Sequence, residues 1–476
     1  MAYEITVKII VKKHDGKQEE IEINHECDNH TWEEDCYKLG CAVAQNTAKT
    51  MLKDIDDEIL ENRPKDMKSQ CFSERTITVR FGEITIQRRL YRDKQGEYHF
   101  LLDEYFNWHQ YKKATPSLRK ALVRLATQDS FESVSKTMGD MLAGVLSDTT
   151  IHRILQEISQ TAIESEKHEW NLWFNEGKIL KGGDRKIPIL YTEADGLCVH
   201  LQREKDEDGN RQKHYELKSA ISYEGWERLS SNEERYRLVN KKVYCHSDNS
   251  IPFWEGLSLL WDRHWDLSHL KKIVIGGDDA NWINKGEETP YSVRQMDGYH
   301  LSRSCRRGWK NGEEIYSAIR EGRIRQTLGK TIAREGKQSE KERNHVLKNL
   351  DRGIDWRIKV DISQEMGLLG GLGCMESNED KLYSNRMDKK GMSWRIKGAE
   401  RMGKAIQLVS NGELEDFCGR KCSQDRFTVD NLSFDLFSYP PEYEHSCSMP
   451  AFGSSHSTRP YVRVIRDLTK NDYPII

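Results

Sequence analysis

The chain has 476 residues, a formal net charge of −3 and 32% charged residues. This length allows about three domains, and no segment approaches the ~18 uncharged apolar residues of a membrane span, so we expect no membrane association. The N-terminus lacks the basic and then apolar pattern of a signal peptide and the 11 cysteines are scattered, so we expect a cytoplasmic protein with reduced thiols.

The first 165 residues should form three successive segments. Residues 1–70 are acidic and should form one or two strands, followed by a helix near Trp32–Leu60. Residues 71–112 alternate between apolar and polar side chains around a glycine turn, which predicts a β-hairpin. Residues 113–165 should form three short helices, the last of which starts at the N-cap pair Ser147-Asp148.

The three short helices suggest a helix-turn-helix, whose last helix enters the major groove of DNA. Plain α-helical domains contain similar runs, so a purely structural role stays open on this fold-level analogy. The candidate groove-facing residues lie near the start of the third helix: Thr149, Thr150, His152, Arg153 and Gln156.

From about residue 185 the pattern changes to alternating strands and helices. The later strands are short apolar runs, which is typical of buried strands in an α/β core. In order we expect strands at 187–201, 215–222 and 242–245, an aromatic-rich helix, strands at 272–276 and 292–296, and a helix after His300.

Positive charge is concentrated after these strands. Residues 303–350 hold 13 Lys or Arg against 6 Asp or Glu, and residues 386–404 hold 7 against 2. Phosphate binding needs a local positive field and not a basic whole protein. These stretches could therefore contact nucleic acid, although each could equally be a solvated helix face.

Three carboxylates stand out in the α/β part. Asp195 and Asp278 each close an apolar run that should be a strand, and Glu376 opens a helical, basic stretch. Mg²⁺ prefers oxygen ligands of this kind, and two ions side by side can drive in-line attack on a phosphodiester. The three acids are therefore candidate metal ligands and catalytic residues.

Each acid also has a competing interpretation. Asp195-Gly196 could be a simple hairpin turn, and Glu193 lies two residues earlier on the same strand face, where it is the rival first acid. Glu379 and Asp380 follow Glu376 by three and four residues on the same side of a helix. They are the rivals for the third acid.

The residues around these acids resemble a known family. The run Gly277-Asp278-Asp279-Ala280-Asn281-Trp282-Ile283 resembles the Gly-Asp-Gly-Ala-x-Trp-Ile motif of bacterial insertion-sequence transposases and their Mutator-like relatives. Asp297-Gly-Tyr-His300 resembles the Asp/Cys-x-x-His motif of the same proteins. Glu376-Ser-Asn, with Arg386-Met387 and Gly391-Met-Ser-Trp394 downstream, resembles the third-acid helix of the ISLre-type (UPF0236-like) branch.

This resemblance implies a DDE transposase that binds the terminal inverted repeats of an insertion sequence and catalyses DNA strand cleavage and strand transfer. The implied fold is α/β, with a ribonuclease H-like catalytic core and an all-helical insertion, preceded by a β-hairpin segment and a helical, helix-turn-helix-like DNA-binding domain. A nuclease that only hydrolyses DNA and an inactive DNA-binding relic are the alternatives.

The resemblance also implies cofactors and partners. Two Mg²⁺ ions, for which Mn²⁺ can substitute, would be held by Asp195, Asp278 and Glu376, with Asp195 bridging both. The partners would be double-stranded DNA, at the element ends and the target, and further copies of the chain in a homodimer or higher homo-oligomer. Such a protein would be associated with the nucleoid.

Further residues receive auxiliary roles. Asp279 stands where the family motif has glycine and is the second choice as a ligand, while Trp282 should pack in the core. Asp297 and His300 could brace the DNA or the active-site floor, or merely cap the following helix. The residues expected to contact DNA near the core are Arg306, Arg307, Arg386, Lys389, Lys390 and Trp394, of which the tryptophan could instead be a core residue.

The cysteines near the C-terminus offer one more possible site. Cys418, Cys422, His445 and Cys447 could hold a structural zinc ion, although free thiols are the default. The expected domains are an acidic segment (1–70), the β-hairpin (71–112), the helical DNA-binding domain (113–165), the first part of the core (185–305), the basic insertion (306–370), the third-acid helix (371–410) and a C-terminal region (411–476).

Overall fold

The computed structural model describes residues 2–12, 18–106, 108, 113–141, 146–178, 180–206, 208–230, 233–360 and 370–418. These residues form two compact units, one within Met1–Ile158 and Gly412–Cys422 and the other within Ser159–Asn411. No helix of the described residues is long and apolar enough to cross a membrane.

The first unit begins with a two-stranded antiparallel ribbon. Strand β1 (Ala2–Lys12) pairs with β2 (Gln18–Asp28) along its whole length, and helix α1 (Trp32–Asn62) follows. One or two strands followed by a helix near Trp32–Leu60 were expected, and this prediction is confirmed.

The expected β-hairpin follows the long helix. Strand β3 (Lys68–Val79) pairs with β4 (Gly82–Arg92), which also pairs with the short strand β5 (Tyr98–His99). Alternation places Ile77 and Ile84 on one face, where they form part of a buried apolar cluster. The hairpin prediction is therefore confirmed.

The helices of the first unit include the three that the sequence predicts. Residues 142–145, which connect the second of these helices to the third, lie outside the described residues, so the turn of a helix-turn-helix is not described. The helices are α2 (Leu101–Tyr105), α3 (Pro116–Ala126), α4 (Phe131–Met141) and α5 (Asp148–Trp170), which extends into the second unit.

The second unit contains a mixed five-stranded sheet. The strands of the whole unit are β6 (Ile189–His200), β7 (His214–Tyr223), β8 (Trp226–Ser230), β9 (Glu233–Leu238), β10 (Lys242–Cys245), β11 (Lys272–Gly277) and β12 (Ser292–Met296). The sheet order is β10-β7-β6-β11-β12, in which β6, β11 and β12 are parallel and β7 and β10 run antiparallel to their neighbours. Strands β8 and β9 form a separate hairpin that the sequence did not predict.

Strand β6 runs through the Asp-Gly pair without a turn. Asp195 pairs with Ser219 and Gly196 pairs with Lys218 of β7, so the hairpin-turn interpretation of this pair is wrong. A Cβ at Gly196 would lie 2.3 Å from Oε1 of Glu216. A larger residue at this position would therefore require the Glu216 side chain to move.

The core on one side of the sheet combines apolar strands with aromatic side chains. Ile273 and Ile275 of β11 are fully buried against Trp261 and Trp265. Parallel strands covered in this way read as continuous apolar runs, which explains why β11 could be located from sequence.

Short helices complete the second unit, and those after β12 agree with the predicted helical insertion up to residue 360. Residues 361–369 lie outside the described residues. The helices are α6 (Phe253–His264), α7 (Asn281–Asn284), α8 (Gly298–Gly308), α9 (Gly312–Arg320), α10 (Ile324–Thr327), α11 (Lys337–Lys348), α12 (Leu350–Gly353), α13 (Trp356–Lys359), α14 (Met375–Glu379), α15 (Asn385–Met387) and α16 (Ile396–Asn411), while α17 (Leu414–Cys418) belongs to the first unit.

Candidate functional site

Two of the predicted acids lie at the same level on neighbouring parallel strands. Gly276 of β11 is in register with Glu193 of β6. Asp278 follows Gly276 by two residues, and Asp195 follows Glu193 by two residues. The sheet therefore brings Asp195, within β6, and Asp278, just after β11, side by side.

The electrostatics of Asp195 reflect this proximity. The pKa of Asp195 is raised to about 6, mainly by burial and also by the negative charge of Asp278, while a hydrogen bond from the amide of Gly196 acts in the opposite direction. Two carboxylates in one partly buried site disfavour each other's charged forms. A bound cation would relieve this repulsion, so the donor set suits a divalent metal ion.

Asp297 and His300 join the same site from β12, the strand next to β11. The amide of Asp297 donates to the carbonyl of Gly277 over 2.8 Å. The Asp297 carboxylate caps α8 by accepting from the amide of His300, and it also lies 3.0 Å from His300 Nδ1. The capping interpretation is confirmed, and it does not exclude a role in the site.

The pair carries charge into the site. The hydrogen bond to Asp297 raises the pKa of His300, and the charges of Asp297, Asp278 and Asp195 add to this effect. Burial opposes ionisation of Asp297, but the hydrogen bonds from His300 lower the pKa of the carboxyl below its ordinary value. The structure thus brings Asp195, Asp278, Asp297 and His300 together.

The third-acid helix α14 offers two glutamates with different environments. Glu376 is exposed in the first turn. The pKa of Glu379 is raised to about 7, mainly by burial and then by the negative charges of Asp195 and Asp380. Oε1 of Glu379 is buried and has no hydrogen-bond partner among the described residues. Glu379 is therefore the glutamate of this helix that interacts with Asp195, and Glu376 as a metal ligand stays a prediction.

Glu193, the rival first acid, does not share this environment. Its side chain is 3% exposed, and it accepts hydrogen bonds from backbone amides at the start of α14. These contacts commit the carboxylate to the protein interior, which leaves Asp195 as the available acid of β6.

Asp279 faces the helical insertion. Its Oδ1 accepts from Asn284 Nδ2 over 2.8 Å and from Arg352 Nη1 over 3.1 Å. Its Oδ2 accepts from Asn349 Nδ2 over 2.8 Å, and His345 Nδ1 lies 3.4 Å away. Burial opposes ionisation, but these partners lower the pKa of the carboxyl. Both oxygens are engaged, which favours an anchoring role over metal binding.

Sequence reasoning missed Arg294, a buried arginine beneath the site. It is 4% exposed, and its guanidinium donates to the carbonyls of Asp278 and Ile275. Burial lowers the pKa of Arg294 to about 10. A lone arginine within the buried strand Ser292–Met296 was the available signal, because a buried charge needs dedicated partners.

Trp282 is half-buried beside the site. Its ring packs edge-on against Phe253, and its Nε1 donates to Glu216 Oε1 over 2.9 Å. Lys218 Nζ lies 5.9 Å from the centre of the ring. The expected core packing is present, with one edge of the indole in a polar setting.

The residues predicted to contact DNA fall into three groups. Thr149, His152 and Arg153 are exposed in the first turns of α5, and Thr150 is half-buried. Arg386 and Trp394 are 2% and 8% exposed, and the guanidinium lies over the indole ring, which favours a packing role for both. The remaining four basic residues, Arg306, Arg307, Lys389 and Lys390, are exposed. Arg306 forms an ion pair with Glu313, Arg307 with Glu342 and Lys389 with Asp380.

Asp195, Asp278 and the glutamates of α14 do not form a tight group of three potential ligand atoms in this structure. Within the described ranges, a tight group of three potential ligand atoms occurs only at Asp93, Glu97 and His99 of the first unit, where they lie within 4.8 Å of one another. In the C-terminal candidate zinc set, Cys418 is a buried free thiol, whereas Cys422, His445 and Cys447 lie outside the described residues.

Comparison with known proteins identifies relatives. Two UPF0236 proteins of Caldanaerobacter subterraneus subsp. tengcongensis, one named by four and the other by eleven serial designations, are each 23% identical over 393 residues, which cover 79% of this chain and 76% of theirs. The UPF0236 protein in the vanSb 3' region of Streptococcus gallolyticus is 24% identical over 404 residues, which cover 80% of this chain and 83% of that protein.

A solved structure and a family model complete the comparison. The Drosophila P element transposase strand transfer complex matches with a TM-score of 0.22 and 11% identity over 64% of this chain and 80% of that chain, a score too low to define a shared fold. The model of the uncharacterised protein family UPF0236 matches residues 31–418. This match spans most of the sequence and confirms the UPF0236-like prediction: the chain belongs to the uncharacterised protein family UPF0236.

Proposed function

We propose that this protein is a DDE-type DNA transposase, which cleaves DNA at the ends of an insertion sequence and joins those ends to a target. The observation that carries the proposal is the placement of Asp195 and Asp278 side by side on parallel strands, with the acidic helix α14 next to them. The strand order β10-β7-β6-β11-β12, followed by helices and a late acidic helix, supports a ribonuclease H-like core.

The proposed site would hold two divalent cations, Mg²⁺ or Mn²⁺. Asp195, Asp278 and one glutamate of α14 are the ligands, with Glu376 assigned by its motif and Glu379 as its rival. Bound ions of this kind activate an attacking oxygen and stabilise a leaving oxygen in phosphodiester chemistry. His300 and Asp297 orient one another beside the acids, and a protonated His300 would place a positive charge where a phosphate would bind.

The gene designations of a relative offer independent support. A single protein of Caldanaerobacter subterraneus subsp. tengcongensis is named by eleven serial designations, which we interpret as multiple copies of one gene. Multiplication within a genome is expected of a mobile element. We propose double-stranded DNA and further copies of this chain, in a homodimer or higher homo-oligomer, as its partners.

The proposal is tested with DNA fragments that carry the sequences flanking the gene. Purified protein with Mg²⁺ should nick the labelled element ends and join them to a plasmid target. Asp195→Asn and Asp278→Asn should each abolish cleavage and joining, whereas the control Asp351→Asn, at an exposed carboxylate paired with Lys359, should keep both activities.

The outcomes separate the candidate functions. Cleavage without joining would replace the transposase with a hydrolytic nuclease that has the same site. Full activity in both site variants would reject the site, and an inactive wild-type protein that still binds the ends would indicate a DNA-binding relic.

A further inference from the structure

The buried carboxylate of Glu193 links the strand of the first acid to the helix of the third acid. Oε2 accepts from the amides of Gly373, Cys374 and Met375 over 2.7, 3.1 and 3.4 Å. These amides begin α14 and have no partner within the helix, as is usual for a first turn. The side chain of Glu193 in β6 thus accepts the hydrogen bonds of the amides at the start of α14.

The second oxygen of Glu193 receives further donors. Tyr223 Oη lies 2.6 Å and Cys374 Sγ 2.8 Å from Oε1. The backbone amides can only donate, and the single hydrogen of the Tyr223 hydroxyl has both Glu193 Oε1 and the carbonyl of Gly371 as possible acceptors. A glutamine here would turn an amide N–H₂ towards other donors.

The path of the side chain is set by a glycine on the neighbouring strand. A Cβ at Gly276 would lie 2.9 Å from Cγ of Glu193 and 3.3 Å from a methyl carbon of Leu372. Glu193 therefore crosses directly over β11 to reach α14. Three elements of the proposed site, β6, β11 and α14, meet at this one residue.

We infer that Glu193 is a positioning residue, which fixes the distance from Asp195 to the glutamates of α14 and thereby sets the metal affinity of the site. The inference rests on the proposed function. Asp195 lies two residues after Glu193 on the same strand face, and Glu376 lies three residues after Gly373. Glu193 itself is not a ligand, because the protein already saturates it with donors.

The test measures metal binding directly. Titration calorimetry with Mn²⁺ on the full chain should show that Glu193→Gln weakens binding by about tenfold or more, the range seen when groups that orient metal ligands are changed. The Mg²⁺ concentration for half-maximal DNA cleavage should rise by a similar factor, while the maximal rate at saturating metal changes less. DNA binding without metal should be unchanged.

Two variants serve as controls. Glu400→Gln alters another partly buried glutamate that accepts from a tyrosine, Tyr215, over 2.6 Å, and it should leave Mn²⁺ affinity within about twofold of the wild type. Tyr223→Phe removes one donor but keeps the carboxylate and the three amide contacts, and it should have a much smaller effect than Glu193→Gln.

A measurement on the wild-type protein covers the case in which Glu193→Gln does not fold. In metal-free protein the amide hydrogens of Gly373, Cys374 and Met375 should exchange slowly with deuterium, because each is hydrogen-bonded to the Glu193 carboxylate. Rapid exchange would overturn the inference, as would normal Mn²⁺ affinity in folded Glu193→Gln. A wild-type protein that binds no Mn²⁺ would instead reject the proposed metal site itself.

Discussion

Asn349 Nδ2 donates to Asp279 Oδ2 over 2.8 Å, and this contact joins the helical insertion to the residue next to a proposed metal ligand. Arg352 reinforces it by binding Asp279 and, through two further nitrogens, Glu287. Two adjacent aspartates thus have different tasks: Asp278 faces the other acids, and Asp279 holds the insertion in place.

The first prediction separates these tasks. Asp279→Ala should lower the free energy of unfolding by about 1–3 kcal/mol, because it leaves buried donors without their charged acceptor. Asp278→Ala should change stability less, since its side chain accepts only the nearby amide of Ala280 within the described contacts, yet it should abolish cleavage. Urea unfolding and the cleavage assay measure the two effects. Equal loss of stability in both variants would contradict the division.

The second prediction concerns the stability of metal-free protein. The folded-state pKa of Asp195, about 6, lies above its ordinary value of 3.8. The folded protein therefore binds the proton more tightly, and stability falls as the pH rises from about 4 through 6. Asp195→Asn removes this loss, so with EDTA at pH 8 the variant should be more stable than wild type by about 1–2 kcal/mol. Below about pH 3.8, where Asp195 is protonated in both the folded and the unfolded protein, the difference should nearly vanish in thermal melts.

The third prediction links metal binding to proton release. Asp195 and Glu379 have pKa values raised to about 6 and about 7, so both are substantially protonated near pH 6 without metal. A bound cation requires ionised ligands, and its positive charge also favours the ionised form of a nearby carboxyl that is not a ligand. Calorimetric titration of Mn²⁺ in buffers of different ionisation enthalpy should show more protons released at pH 6 than at pH 8. A release that does not depend on pH would contradict these assignments.

The fourth prediction decides between the two glutamates of α14. If Glu376 is the third acid, as its motif indicates, Glu376→Gln should abolish binding of one of the two proposed Mn²⁺ ions. Glu379→Gln should keep binding and should raise the melting temperature of metal-free protein at pH 8, because it removes a partly buried charge near Asp195. The reverse pattern of metal binding would reassign the third acid to Glu379.

The fifth prediction distinguishes a DNA contact from a packing residue. Arg153→Ala, at an exposed position of α5, should weaken DNA binding several-fold and reduce the salt dependence by about one ion. Arg386→Ala should mainly lower stability, because the guanidinium is buried against Trp394. Fluorescence anisotropy at several salt concentrations measures DNA binding, and thermal melts measure stability. A loss of DNA binding in folded Arg386→Ala, with unchanged binding in Arg153→Ala, would contradict the prediction.

Local patterns predicted much of the fold. Lys242–Cys245 and Ser292–Met296 are strands with the expected bounds, as expected for short segments between turns in an α/β pattern. The hairpin Trp226–Ser230 and Glu233–Leu238 escaped prediction. Its residues are largely polar and charged, so neither strand shows a clear apolar periodicity.

The candidate site was predicted less completely than the sheet. The ends of apolar runs located Asp195 and Asp278, although Asp195 lies within β6 and not at its end. Periodicity alone could not show that Glu193 turns to α14 while Asp195 stays in the site. The partners of Asp279 lie 70 and 73 residues along the chain, at Asn349 and Arg352. Contacts between such distant residues depend on tertiary packing, which no local pattern encodes.

The crossing of Glu193 over Gly276 has an evolutionary consequence. A methyl group at position 276 would collide with the glutamate, so the two positions cannot change independently. Among homologous sequences, glutamate at the first position should therefore coincide with glycine at the second, and lineages with a larger residue there should have replaced the acid as well. Covariation between these two positions would show in homologous sequences how α14 is held.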